Sequence, residues 1–322
     1  MPGRKSDVKD SQWIAHLLAC GLLKSSFVPP PEQRELRDLT RHRAQLNGEH
    51  TRCANRIHKV LQDANVKLSS VATDILGKSG RDMLRAMVEG QDDPSALADM
   101  ARGKLRKKIP DLTKALRGHV KAHHVFMLDQ LLHHLALLEE QIEQFNERIK
   151  EALRPFVDDW KFQRLDAIHG VNRHVIEDVV AEIGVEMSVF PTSGHLASWA
   201  GLCPGNEESA GKRKRTRTTK GNVWLRRSLT QAAWAASRTK DSYFAAQYRR
   251  LAGRRGKKRA VVAVAHSLLE VIYHVLKDET VVFQDLGGDH FDRLDPIRLQ
   301  RHLVKRLETL GFEVTLTKIE AA

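Results

Sequence analysis

A chain of 322 residues is longer than one core usually fills, and points to two or more units or to one unit with an extended helical element. Its formal net charge of +13 and isoelectric point near 9.8 exceed what solubility asks for and point to a polyanionic partner. The charged N-terminus excludes a signal peptide, no apolar run reads as long enough to span a bilayer, and Cys20, Cys53 and Cys203 form no paired motif, so a cytoplasmic protein without disulfides or a zinc site is expected.

The first expected element is a helix from Ser6 to Leu18, with Trp13, Ile14, Leu17 and Leu18 at helical spacing. Asp7 and Asp10 stand three apart at its start. They suit either a shared divalent metal ion or the N-capping that a helix dipole favours in any case. Pro29, Pro30 and Pro31 break the chain. A heptad-like stripe then runs through Leu36, Leu39, Arg43, Leu46, His50, Cys53, Ile57, Val60 and Ala64, with Arg43 and His50 as imperfections in its seam. Loops are expected around Gly77 to Gly80 and Gly90 to Pro94. A cleaner stripe follows through Leu128, Leu132, Leu135, Leu138, Ile142, Phe145 and Ile149, closed by Pro155. The two long helices form either an antiparallel stalk or a coiled coil that pairs protomers. His123, His124, His133 and His134 beside the second stripe receive no chemical role.

From Phe162 to Gly184 the pattern reads equally as a helix-hairpin-helix, with Gly170 exposing backbone N–H groups to a phosphate, or as an ordinary packing corner. The stretch Ser209 to Arg227 is a hydroxyl followed by a basic arm free of acids until its end: Lys212, Arg213, Lys214, Arg215, Arg217 and Lys220, then Arg226 and Arg227 on a helix. By itself it suits a nucleophile with a phosphate clamp or a solvated loop. Helices are expected over Val223 to Ser237 and Ala260 to Leu276. Between them lies a second basic cluster with Arg254, Arg255, Lys257, Lys258 and Arg259, about thirty residues from the first, which bracketing helices could bring onto one face. Tyr243, Phe244 and Tyr248 just upstream suit base stacking or core packing. A basic helix, Ile297 to Leu310, and a short strand-like tail, Phe312 to Leu316, close the chain. There is no Gly-x-Ser-x-Gly elbow, and a cationic loop around the hydroxyl favours phosphate over acyl chemistry, which argues against a serine hydrolase.

Three local patterns, GRKSDVKDSQWIAHLL with GLLKSSFVPP, LASWAGLCPGNEESAGK, and TTKGNVWLRRSLTQAAWAASR, resemble the DEDD-type transposases of bacterial insertion sequences, the family numbered one-ten, related to the site-specific invertase Piv. The resemblance covers nearly the whole chain. It implies a mainly α protein: a remnant helix of a RuvC-like domain over residues 1–28, a coiled-coil stalk with connecting loops over 29–156, a mostly helical transposase domain over 157–296 entered through the helix-hairpin-helix-like segment, and a C-terminal helix and tail over 297–322. It further implies that Ser209 is the catalytic nucleophile and that Asp7 and Asp10 are the last two of four metal-binding acids, with Mg2+ or a similar divalent ion as cofactor. DNA, a guide RNA and a second copy of the chain are the implied partners, in a bacterial cytoplasm and associated with the nucleoid. The first two acids of the family's site would lie upstream of Met1, so an N-terminally truncated member that binds but does not cleave DNA alone is expected. Ala210 and Thr216 stand where the family commonly has glycine, which would stiffen the loop after the serine.

Overall fold

In the computed structural model, which describes residues 6–23, 27–205, 207–215 and 217–317, the chain is mainly helical and divides into two units. The first unit comprises Met1–Arg34, Lys161–Val175 and Glu182–Ala322; the second comprises Glu35–Trp160 and Ile176–Ala181.

Helix α1, Asp7–Ala19, opens the first unit, and its cap is Ser6, whose hydroxyl accepts from the Lys9 N–H. Asp7 and Asp10 therefore lie in the first turn beyond the cap, where the dipole favours them. Phe27, just before the prolines, packs against Phe190 and Trp199.

Helix α2, Pro31–Asp63, starts on a proline whose missing N–H costs nothing at that position. Helices α3, Lys78–Val88, α4, Pro94–Asp99, and α5, Ile109–Ala115, follow, and α6 spans Ala122–Leu153. The loop expected at Gly77 to Gly80 is thus the start of α3, with Gly80 buried inside it. Leu46, Cys53, Ile57 and Leu61 of α2 share one core with Leu128, Leu131, Leu135 and Leu138 of α6, and Met83, Leu84, Leu97 and Leu112 of the short helices join it. Cross-links between His50 and Glu139, Cys53 Sγ and Leu131 O, and Asp63 and His124 fix α2 and α6 as antiparallel. The seam's polar residues are matched, not tolerated. Arg43, 4% exposed, donates to Glu177 and, at 3.1 Å, to Asp178; His50 meets Glu139, which also takes a fork of two bonds from Arg81. A buried arginine needs such partners, because desolvating it alone costs several kcal/mol, roughly.

Helix α7, Asp159–Asp166, and helix α8, Arg173–Ile183, flank the corner at Gly170. Helix α9, Ser193–Trp199, a two-stranded antiparallel hairpin (β1, Glu207–Ser209; β2, Lys212–Arg215), and helices α10, Val223–Ala236, α11, Tyr243–Arg255, and α12, Lys257–Lys277, build the rest of the first unit's core. Helix α12 is long and apolar enough to cross a membrane by length and composition, contrary to the sequence expectation. It packs instead against α9, α10 and α11, burying Val261, Val264, Leu268, Leu269 and Ile272, and its Tyr273 hydroxyl donates to Phe190 O at 2.9 Å. Helices α13, His290–Leu294, and α14, Pro296–Thr309, follow; Phe312 to Leu316 is irregular backbone with no strand pairing among the described residues, so the strand-like tail is not a strand.

Candidate nucleic-acid interface

The site begins where α9 ends. Gly201, at φ +72°, lies against Gly221: a Cβ on Gly221 would sit 2.3 Å from Gly201 N, and one on Gly201 would sit 2.9 Å from Gly221 N. Two backbone segments touch here, and only glycine fits on both sides. This contact is the physical reason for the glycines of LASWAGLCP and TTKGNVW. From the crossing the chain runs out and back. Gly205 N–H donates to Arg217 O at 2.8 Å, Thr219 N–H to Cys203 O at 3.2 Å, and Pro204 bridges Thr218. The tight turn joining β1 to β2 is Ala210-Gly211, both with positive φ, 52° and 72°. Ser209 therefore ends β1 opposite Lys212, and Lys212–Arg215 of the basic arm form the second strand of a hairpin. The side chains of Ser209 and of Lys212, Arg213, Lys214 and Arg215 lie outside the described residues, as does Thr216.

Asn222, directly after the crossing, caps α10. Its Oδ1 accepts from the N–H groups of Trp224 and Leu225, both at 3.0 Å, its Nδ2 donates to the buried Glu182 at 2.6 Å, and its own N–H donates to Trp199 O. Four bonds from one residue pin the helix that carries Arg226 to the end of α9.

Helices α11 and α12 meet at Gly256, φ +84°, so Arg254 and Arg255 end one helix and Lys257, Lys258 and Arg259 begin the next. The second basic cluster is thus the elbow of a helical hairpin. Between this elbow, α10 and the base of the β-hairpin lies a cleft of about 950 Å³. Arg217 comes from the hairpin base, Arg226 from α10, Arg255 from α11, and Lys258 and Arg259 from α12; no Asp or Glu is among the described residues that line it. The two clusters do converge, through five of their cations. Lys220, Arg227, Arg254 and Lys257 are exposed and do not line the cleft. Five cations without an acid in one concavity raise the local concentration of anions and release counterions when phosphates replace them.

Sequence reasoning missed Gln247, His266 and Ser267, which also line the cleft. For His266 and Ser267 the signal was spacing: Lys258, Arg259, Val262, Ala263, His266 and Ser267 recur in pairs every four residues along α12, one helical face. Cys203, in the same neighbourhood, is no rival nucleophile. Burial first, and the charge of Glu270 second, push its thiol up, so it stays protonated at neutral pH.

Gly170 has φ +85°, and a Cβ there would lie 2.4 Å from Ala232 O and 2.7 Å from Ala236 N. Close packing on α10 accounts for the glycine, which favours the packing corner over a hairpin that offers its N–H groups to a phosphate. Of the aromatics, Phe244 is 1% exposed and belongs to the core, whereas Tyr248 lies half-buried against the exposed Trp234 and Tyr243 stacks on Phe291 with ring centroids 5.2 Å apart.

Asp7 and Asp10 are exposed on one turn of α1. Two carboxylates fill at most part of one octahedral shell and cannot hold a pair of ions around a phosphate, so they do not make a metal centre by themselves. Elsewhere among the described residues, Asp63, His123 and His124 bring ligand atoms within 4.8 Å of one another. His124 does not suit a metal there. Its Nδ1 accepts the Lys121 N–H at 3.1 Å, which leaves the proton on Nε2, and Nε2 faces Asp63 at 3.0 Å. Neither ring nitrogen has a free lone pair, whereas a ligating histidine donates from its second nitrogen.

The chain matches family models at both ends of this architecture. Residues 162–249 match the model described as the transposase IS116/IS110/IS902 family, and residues 1–66 match a transposase model of the DEDD type. It is also 27% identical, over 226 residues, to the Insertion element IS116 uncharacterized 44.8 kDa protein of Streptomyces clavuligerus, a match that covers 64% of this chain and 54% of that protein. The chain spans about half the length of this curated relative.

Proposed function

We propose that the chain is a member of the IS116/IS110/IS902 transposase family, which its matches to two transposase family models support, and that it takes part in DNA strand exchange for a bacterial insertion sequence. The observation that carries this reading is the convergence of five cations from two separate sequence clusters in one cleft at the base of the hairpin that bears Ser209. In this reading the cleft holds the phosphates flanking the reacting one. The Ser209 hydroxyl oxygen forms a bond to phosphorus, the phosphorus bond to one deoxyribose oxygen breaks, and that oxygen leaves as the new strand end; the serine proton passes to solvent or to the leaving oxygen. The cations neutralise the charge that gathers on the non-bridging oxygens. Religation of a different strand end to the same phosphorus restores the serine and completes the exchange.

The finer parts of the proposal are a guide RNA, self-association through the antiparallel α2 and α6 used as a coiled coil, and a cytoplasmic, nucleoid-associated location. Asp7 and Asp10 are proposed as ligands of a divalent ion, but no step is assigned to it because two carboxylates do not complete such a site. A second reading, which the acid-free cationic cleft supports equally, is a DNA- or RNA-binding protein that does no strand exchange. The test separates the two. Supplied with a separately expressed RuvC-like piece, wild type should form a covalent protein–DNA adduct and recombine a reporter, whereas Ser209→Ala should bind DNA equally and do neither. Equal recombination by Ser209→Ala would remove the serine from the mechanism.

A further inference from the structure

The cleft has properties that a plain phosphate furrow does not need. At about 950 Å³ it falls in the roughly 300–1,000 Å³ size class of small-ligand pockets, to which a single nucleotide belongs. Its walls are not uniformly cationic either: Leu202, Leu251 and Val262 contribute apolar surface beside the arginines. Phosphates do not seek apolar walls, while the faces of nucleobases do.

A third feature reports on a base edge. Gln247 and Ser267 both line the cleft and are joined by a 2.8 Å bond between the amide nitrogen and the hydroxyl, while the amide oxygen of Gln247 is buried without a hydrogen-bond partner among the described residues. Whichever way the amide is turned, one of its polar atoms is bound to Ser267 and the other is shut off from the cleft, unpaired until the side chain turns toward an occupant. An orphan of this kind costs about 1–3 kcal/mol until a ligand satisfies it.

Resting on the reading that the cleft binds nucleic acid, we propose that it receives one unpaired nucleotide, extruded from the DNA lying across its mouth. Its phosphate rests on Arg255, the base lies along Leu251 and Val262, and Gln247 turns so that the free atom of its amide pairs with the edge of the base. Such a subsite gives the protein a preference for DNA that is already distorted, because the cost of unstacking has been met beforehand.

The test uses the full chain and three DNA duplexes of one sequence: fully paired, with one extrahelical nucleotide, and with an abasic residue at the extrahelical position. Fluorescence anisotropy at fixed salt should find the extrahelical nucleotide bound about tenfold more tightly than the paired duplex, the worth of one satisfied buried polar group. The abasic duplex should lose that gain, and Gln247→Leu should abolish most of the preference. A 2-aminopurine at the extrahelical position should change its emission on binding to wild type. Equal affinity for all three duplexes, with the paired duplex still bound, would overturn the subsite and leave DNA binding standing. Absence of binding to any of them would overturn both. Because the abasic comparison uses wild-type protein, the outcome does not depend on how well the variant folds.

Discussion

Replacing Gly221 with alanine tests the joint that holds the site together. The added Cβ would stand 2.3 Å from Gly201 N, 2.5 Å from Ala200 C and 2.6 Å from Gly201 Cα. All three neighbours are backbone atoms, so no side chain can swing aside. Reaching ordinary contact at about 3.5 Å requires the two segments to part by about 1 Å. Overpacking of this kind costs about 1–3 kcal/mol, and the strain falls on Asn222, whose N–H reaches Trp199 O at 3.2 Å and whose side chain caps α10. Weakening that cap adds about 1 kcal/mol. Gly221→Ala should therefore destabilise the protein by about 2–4 kcal/mol in urea titrations read by tryptophan fluorescence, with Trp199 and Trp224 on either side of the crossing as reporters. DNA affinity should fall as well, because Arg217 and Arg226 flank the joint on the two sides. Gly253→Ala is the control: it lies inside α11 with nothing within 4 Å of its Cβ position, so it should stabilise by about 0.5–1 kcal/mol. If Gly221→Ala left stability within about 0.5 kcal/mol of wild type and DNA affinity unchanged, the crossing would not be what organises the site.

Ala210 carries φ +52° in the hairpin turn, a left-handed conformation that costs an L-residue about 1–2 kcal/mol, so Ala210→Gly should slow hydrogen exchange in β1 and β2. Arg43→Met takes the buried cation away from Glu177 and Asp178, and should cost about 3–5 kcal/mol in a urea titration, with Arg43→Met/Glu177→Met recovering at least half of it. The bonds from Arg81, and then from His50, hold the Glu139 carboxyl at about 2 against an ordinary 4.5. A carboxyl depressed on folding stabilises above its unfolded value and loses that stabilisation as pH falls toward its folded one, so the urea midpoint should drop between about pH 4.5 and pH 2, and Glu139→Gln should flatten that part of the profile.

The helices were legible because burial imprints a period on the sequence. The stripe from Leu36 to Ala64 and the stripe from Leu128 to Ile149 are faces of α2 and α6, and the apolar run after Lys257 is a helix surrounded by others. What the stripe could not disclose was that Arg43 had partners waiting, because Glu177 and Asp178 lie more than a hundred positions away. The hairpin escaped for a different reason. Its strands, Glu207–Ser209 and Lys212–Arg215, alternate nothing apolar, and the joint that closes them is a long-range meeting of Gly201 with Gly221. The opposite error arose at Phe312 to Leu316, where β-favouring residues have no strand to pair with among the described residues. The two basic clusters were visible, but that Gln247 and His266 share a cleft with them was not, since a helix face shows what it lines only when the opposite wall is known.

The central claim is that the cleft is where DNA phosphates are held, and the salt dependence of binding addresses it most directly. If Arg217, Arg226, Arg255, Lys258 and Arg259 each take one phosphate, the slope of log affinity against log salt should be about −4.5, equivalent to about a 500-fold loss of affinity between about 50 and 200 mM salt. Replacing Arg226, Arg255 and Arg259 together by glutamine should bring the slope to about −1.8. A slope that stays at the wild-type value in that triple variant would contradict the account.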